Sequence, residues 1–420
     1  MKLRALLLMA AGAAGALAAD IDSAALLARV QSKVNENAQS MPRYFCRQKI
    51  ERKSFARIEP RSTAPVTSLS GCNSLPDEGS PKTSGMTLAL TDRGRLDVML
   101  SDGKELFSWP GGRSFETAYP SDLLGAGFSG SGDFAGFAIT VFSGDGVSFK
   151  YVGACPGSNC VRYQYDVPVQ ASHYTVVQPD SVPTRLGFHG SFDVDPQTAA
   201  LLRLTVSATH PELAQREACD IRTRMTYTKA ASGGREFLIP ESTEHEYLAQ
   251  NGSYAVNNVV YEACREYTAE SVLKFDDDSA PAASVDPAHA AHVLPAAGSE
   301  IQLQLLSKID TSIASAGDSL EATLVHPVPD AAGGTIPAGT VFRGHLTQLE
   351  RMYVPRRQLI LGVSFNTVVL NGAPVPLTLR PIGESDSHGR AVYSLPLEKK
   401  TVLDKRFFTG WRVVYPPEKP

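Results

Sequence analysis

Residues 96–109 read Leu-Asp-Val-Met-Leu-Ser-Asp-Gly-Lys-Glu-Leu-Phe-Ser-Trp. Leu96, Val98 and Leu100 alternate with Asp97 and Met99, the period of two that sets apolar side chains on one face of a strand. Asp102-Gly103 follows, a pair suited to the positive φ of a tight hairpin turn, and Glu105 to Trp109 runs back. The scheme recurs further along the chain. Arg185 to Val194, a turn at Asp195-Pro196-Gln197-Thr198, and Leu201 to Ala208 form a second hairpin. Ile221 to Thr228, Glu236 to Ile239, Ser242 to Ala249, an Asn251-Gly252 turn and Val259 to Phe275 continue it. Hairpin-linked neighbours pair antiparallel. The expected fold class is therefore mainly β, a large antiparallel sheet over residues 19–275 that could curl into a half-barrel.

Upstream of the strands, Ile21 to Asn37 has helical periodicity. Ile21, Leu26, Leu27, Val30 and Val34 fall on one face, Arg29, Lys33 and Glu36 are available to water, and Asp20 or Asp22 can cap the start. Before that helix, Lys2 and Arg4 precede an apolar run from Ala5 to Ala18 that ends in Ala16-Leu17-Ala18. This is the layout of a secretory signal peptide over residues 1–18, and it predicts export to the periplasm or beyond. The run is shorter than the ~20 apolar residues a spanning helix needs, and no later stretch reaches that length.

Six cysteines suit an oxidising compartment: Cys46, Cys72, Cys155, Cys160, Cys219 and Cys264. Cys155-Pro-Gly-Ser-Asn-Cys160 lies between two strand-like runs, Ser148–Gly153 and Val161–Val167, so a turn there brings the two thiols within bridging reach. Three pairings stay open for the other four. Cys46 and Cys264 sit near the two ends of the first unit, which favours closure there and leaves Cys72 with Cys219.

Asp276 to about Gly298 has no periodicity and reads as a linker, residues 276–297. Beyond it Ile301, Leu303 and Leu305 alternate with Gln302 and Gln304, and Leu320 to Leu324, Val341 to Leu346, Leu359 to Phe365, Thr367 to Leu370 and Val375 to Leu379 follow, with a turn at Asn371-Gly372. The spacing predicts a small C-terminal β-barrel over 298–382 that could fold by itself. Residues 383–420 read as a tail carrying Phe407, Phe408, Trp411 and Tyr415, aromatics that either dock on the barrel or await a partner.

Two resemblances rest on these stretches. Ala316-Gly317-Asp318-Ser-Leu-Glu-Ala, Thr335-Ile336-Pro337-Ala338-Gly339-Thr340 and Val369-Leu-Asn-Gly-Ala-Pro-Val-Pro-Leu together resemble the small β-barrel of TrbI-like proteins of conjugation and secretion channels, and barrels appended to uncharacterised envelope proteins. In the larger unit, the order of a helix, many strands and Gly190-Ser-Phe-Asp-Val-Asp-Pro-Gln-Thr is similar to the open half-barrel of LolA-like lipoprotein carriers, whose concave side holds acyl chains. Tyr44-Phe45-Cys46-Arg47 and Ala263-Cys264-Arg265-Glu266-Tyr267 resemble elements of secreted proteins of unknown function. The first likeness implies contacts with envelope components, the second an apolar or lipid-like ligand.

Signals for chemistry are sparse. Gly125-Ala-Gly127-Phe-Ser-Gly130 matches a dinucleotide fingerprint in letters, but Gly132, Asp133 and Gly136 after it are poor helix material, so a surface loop is expected. Asp193 and Asp195, two apart, would share a strand face and could serve as acid and base or hold a cation; the plainer expectation is a turn at Asp195-Pro196 with Asp193 in water. His289 and His292 lack a third ligand, and His245, between Glu244 and Glu246, lacks the second histidine of a zinc-protease helix. Asp276-Asp277-Asp278 lacks the spacing of a calcium loop. Arg356-Arg357 and Lys399-Lys400 lack interleaved aromatics, and a net charge of −4 gives no electrostatic reason for a nucleic-acid partner. No catalytic residue, cofactor or metal ligand is assigned. The first reading is a non-enzymatic exported envelope protein binding an apolar ligand, the second a scaffold or interaction module without one, and the third a hydrolase using Asp193, Asp195 or a constellation that the sequence does not announce.

Overall fold

The computed structural model describes residues 22–40, 44–57, 83, 85–101, 104–112, 115, 117–124, 129–133, 135–176, 183–209, 218–232, 234–249, 251–266, 294–398 and 401–414. The expected signal peptide, Cys72, Gly125 to Phe128, Asp276 to Asp278, His289, His292, Lys399, Lys400 and Tyr415 lie outside them.

The chain enters α1 (Ser23–Ser40), then β1 (Tyr44–Arg57), β2 (Met86–Ser101) and β3 (Lys104–Ser108). Two short helices follow, α2 (Pro120–Leu124) and α3 (Gly136–Ser143). The first unit continues through β4 (Ser148–Ala154), β5 (Val161–Val167), β6 (Thr175–Val176), β7 (Thr184–Arg185), β8 (Phe188–Val194), β9 (Leu201–Thr209), β10 (Ala218–Ser232), β11 (Arg235–Ala249) and β12 (Tyr254–Glu266). The second comprises β13 (Glu300–Leu305), β14 (Ile309–Asp310), β15 (Ser319–Leu324), β16 (Val328–Pro329), β17 (Thr335–Ile336), β18 (Val341–Met352) and β19 (Gln358–Leu370). It ends with β20 (Ala373–Pro376), β21 (Thr378–Pro381), β22 (Ala391–Pro396), β23 (Val402–Leu403) and β24 (Phe408–Val414).

In the first unit the strands lie in the order β3-β2-β1-β12-β11-β10-β9-β8-β5-β4, every pair antiparallel. The large sheet is open, with β3 and β4 at its ends, and is not closed into a barrel. Alternation of side chains explains its burial: on β5, Val161, Tyr163, Tyr165 and Val167 face inward while Gln164 and Asp166 face water. α1 covers this inward face with Leu26, Val30 and Val34, one helical stripe, each worth about 1.5–3 kcal/mol when fully buried. Asp22 caps the helix by accepting hydrogen bonds from the backbone of Ala24 (3.1 Å) and Ala25 (3.0 Å).

α3 corrects the expectation of poor helix material after the glycine-rich run. Its sequence, Gly-Phe-Ala-Ile-Thr-Val-Phe-Ser, is a modest helix former, yet Phe137, Ala138, Thr140, Val141 and Phe142 are buried. Phe142 meets Phe192 edge-on at 4.9 Å, and Tyr163 stacks on Phe192 at 5.1 Å. Burial on α1 and the sheet outweighs the ~1 kcal/mol propensity cost of a glycine in the first turn.

In the second unit the pairings run β13–β15–β18–β19, pass through the consecutive β20 and β21 to β24, and β24 pairs back onto β13. The Asn371-Gly372 turn has φ of 51° and 79°, the doubly positive geometry that links β19 to β20 tightly. Residues beyond 382, expected as a tail, supply β22, β23 and β24. Trp411 is 1% exposed, edge-on to Phe365 at 5.6 Å, and donates its indole N–H to Thr409 at 2.8 Å. Phe407 packs edge-on to Tyr393 at 5.1 Å. The core of this unit therefore needs residues on both sides of 382/383.

The two units share one sheet. β18 pairs with β2 through Glu350↔Asp92, Arg351↔Thr91 and Met352↔Leu90. Beside that ladder, Arg95 donates its backbone N–H to Ala316 (2.7 Å) and Ala316 donates to Arg93 (2.9 Å), and Ala316 is buried in the first unit's core. Gly317 is required here: its φ is +96° and a Cβ would stand 2.3 Å from the Arg95 carbonyl oxygen. Arg95 pairs with Asp318, and Trp109 stacks on His345 at 6.3 Å.

Candidate functional site

A buried polar network lies beneath the loop that leads into α3. Thr243 and His245 project from β11 on the same face, and Thr223 of β10 is the register partner of His245. Asp133 enters from the loop and Tyr261 from β12. The Thr223 hydroxyl and His245 Nδ1 are 3.0 Å apart, His245 Nε2 is 3.3 Å from Asp133 Oδ2, and the Tyr261 hydroxyl donates to Asp133 Oδ2 at 2.8 Å. The loop passes so near that a Cβ on Gly130 would lie 2.7 Å from His245 Cε1.

Burial alone would raise the Asp133 pKa. The nearby His245 and the hydrogen bond from Tyr261 outweigh it and hold the carboxyl below the usual range. Burial, then the negative Asp133, push the Tyr261 phenol well up. Hydroxyl, imidazole and carboxylate stand in the order of a hydrolase triad. A nucleophile must also be reachable, and Asp133 and His245 are each 2% exposed, with Thr223 at 4%. The network thus anchors the loop to the sheet through partners that each residue needs once it is buried. Sequence reading missed it because the members lie at 133, 223, 243, 245 and 261, with only Glu244-His245-Glu246 to draw notice.

The first cysteine pair is bridged as expected. Cys155 and Cys160 form a disulfide across the β4–β5 hairpin, and Cys46–Cys264 joins β1 to β12 with Cα atoms 4.0 Å apart. Cys219 is also oxidised; its expected partner Cys72 is outside the described residues. Donor atoms of Cys155, Cys160 and Asp193 lie within 4.8 Å of one another, a spacing that could suit a metal. With the sulfurs joined to each other, neither is a thiolate ligand.

Asp193 and Asp195 do not act together. Asp193 is buried rather than solvated: Arg162 grips it at 2.6 and 2.9 Å, and Arg203 adds a contact at 3.3 Å. Asp195 accepts backbone N–H bonds from Gln197 (2.7 Å) and Thr198 (3.0 Å), the turn role expected for it. Those bonds, Thr198's foremost, hold its carboxyl below the ordinary range. Arg356 and Arg357 are exposed in the turn between β18 and β19.

Where the units meet, a cavity of about 200 Å³ is lined by Glu51, Arg52 and Lys53 of β1, Thr91, Asp92 and Arg93 of β2, Thr311 and Ala314, and Leu349, Arg351 and Tyr353 from β18 and just after it. Register puts the odd-numbered strand residues on one face. Lys53 opposes Thr91, Thr91 opposes Arg351, and Glu51 opposes Arg93. The intervening residues Arg52, Asp92 and Glu350 form the next row on the opposite face, where Arg52 pairs with Asp92 and all three are buried.

Comparison with protein families, curated proteins and solved structures returns no match. The site's chemistry therefore rests on its own geometry. Among the described residues no helix is long and apolar enough to cross a membrane.

Proposed function

We propose that this chain is a non-enzymatic exported protein of the cell envelope, working as a scaffold whose two β units offer their outer faces to protein partners. What supports the scaffold reading over carriage of an apolar ligand is the filling of the sheet's helix-covered face. Leu26, Val30 and Val34 of α1, Phe137, Val141 and Phe142 of α3, and Tyr163, Phe192, Leu204 and Met225 of the sheet form one apolar cluster there. An acyl chain would have to displace a helix held also by polar ties: Arg29 to the Gln197 carbonyl (2.7 Å) and Asn37 to the backbone of Leu238 (3.1 and 2.7 Å). The disulfides agree with export.

The test uses the chain's two tryptophans. Trp109 stands in the first unit and Trp411 in the second, both buried. Titrating the mature chain with oleate should leave tryptophan emission unchanged apart from dilution. A saturable change at micromolar oleate, with stoichiometric lipid recovered on extraction, would replace the scaffold by a lipid carrier.

A further inference from the structure

We propose that the cavity between the two units binds a small phosphate-bearing anion, free phosphate or a short phosphate monoester. The residues lining it include four cations, Arg52, Lys53, Arg93 and Arg351, and two carboxylates, Glu51 and Asp92; with Arg52 and Asp92 paired to each other, Lys53, Arg93 and Arg351 stand against Glu51. Arg93 divides its guanidinium between Glu51 (3.4 Å) and the carbonyl oxygen of Ser312 (2.6 Å), and Arg351 donates to the carbonyl oxygen of Thr311. Carbonyl acceptors orient a guanidinium without neutralising its charge. Lys53 is exposed and has no ion-pair partner among the described residues.

Register makes the row chelating. Lys53 and Arg351 flank Thr91 on adjacent strands, so a cation, a hydroxyl and a second cation stand side by side at the ~5 Å spacing of neighbouring strands. Long side chains from the outer two strands can close on one anion above Thr91, with Arg93 diagonal to it. Charge-assisted bonds from guanidinium and ammonium groups to phosphate oxygens are the strong class of hydrogen bond. The volume sets the size of the guest. About 200 Å³ falls below the ~300–1,000 Å³ of sites for drug-sized molecules, which excludes a nucleotide or an acyl chain and admits phosphate with a short substituent.

The anion would also tie the units together, since Lys53 and Thr91 belong to the first and Arg351 to the second. The cavity is separate from the helix-covered face on which the scaffold reading rests, so either proposal can fail alone.

The test is calorimetric titration of the mature chain with inorganic phosphate and with glycerol 3-phosphate, chloride balancing the ionic strength. The expected result is saturable, one-to-one binding of both, weakened at least tenfold in Lys53→Ala and retained in Lys53→Arg. Lys53 is exposed, so the alanine variant should keep the parent's circular dichroism, which is measured alongside. Absence of saturable binding, or binding that Lys53→Ala leaves unchanged, overturns the proposal. A vesicle arm separates the two sources of the chemistry. Sedimentation with phosphatidic acid vesicles but no titration by either soluble anion would refute a small-anion site and point to a membrane surface.

Discussion

Replacing His245 with alanine is expected to lower the stability of the protein by about 3–5 kcal/mol, because it leaves the buried Asp133 carboxylate without its main partner. Urea unfolding of the variant against the parent measures it, and a loss under about 1 kcal/mol, as for an ordinary surface change, would remove the network from the account. The same group makes the protein acid-sensitive. The folded-state pKa of Asp133 lies below its unfolded value of about 3.9, so its stabilisation is complete well above that value and is lost as pH falls toward the folded-state value. The parent should therefore lose stability on acidification more steeply than Asp133→Asn. Parallel pH profiles for the two proteins would contradict this.

The second large effect belongs to the Cys46–Cys264 bridge, which spans 218 residues of sequence. Constraint of the unfolded chain by so long a loop stabilises by about 5 kcal/mol in the chain-entropy view. The paired change Cys46→Ala with Cys264→Ala should cost that much in denaturant unfolding. Removing Cys155–Cys160, separated by only 5 residues, should cost roughly half as much or less by the same logic. The long bridge also sits at a defect in the ladder. Pairing between β1 and β12 shifts register between Phe45 and Arg47, and Ala263 there takes a φ of 49°. Equal losses for the two pairs would show that loop length does not govern the stabilisation.

Local signals account for what could be read in advance. The strand run of Val161 to Val167, the Asn371-Gly372 turn, a cap from Asp22, one of the two candidates, and the Leu26-Val30-Val34 stripe are each decided within a few residues, and each forms. Elements whose reason is tertiary were not legible. α3 is a helix because its apolar residues find α1 and the sheet, against its own glycine. Whether Trp411 docks or awaits a partner is decided by the pairing of β24 with both β13 and β21, far from it in sequence. The Asp133 network joins residues up to 128 positions apart, as Tyr261 and Asp133 are, and no periodicity announces such a meeting. The cavity row of Lys53, Thr91 and Arg351 exists only once β18 has docked on β2.

That docking is what makes the two β units one body, and scanning calorimetry of the protein tests it most directly. Ala316 sits in the first unit's core, Trp109 stacks on His345, and β2 and β18 share ladder bonds, so neither unit can open without exposing part of the other. The account predicts one cooperative endotherm that shifts as a whole when the seam pair Arg95–Asp318 is removed by Asp318→Ala. Two separated endotherms, with only the C-terminal one responding to that substitution, would contradict it and make the chain two independent modules on a tether.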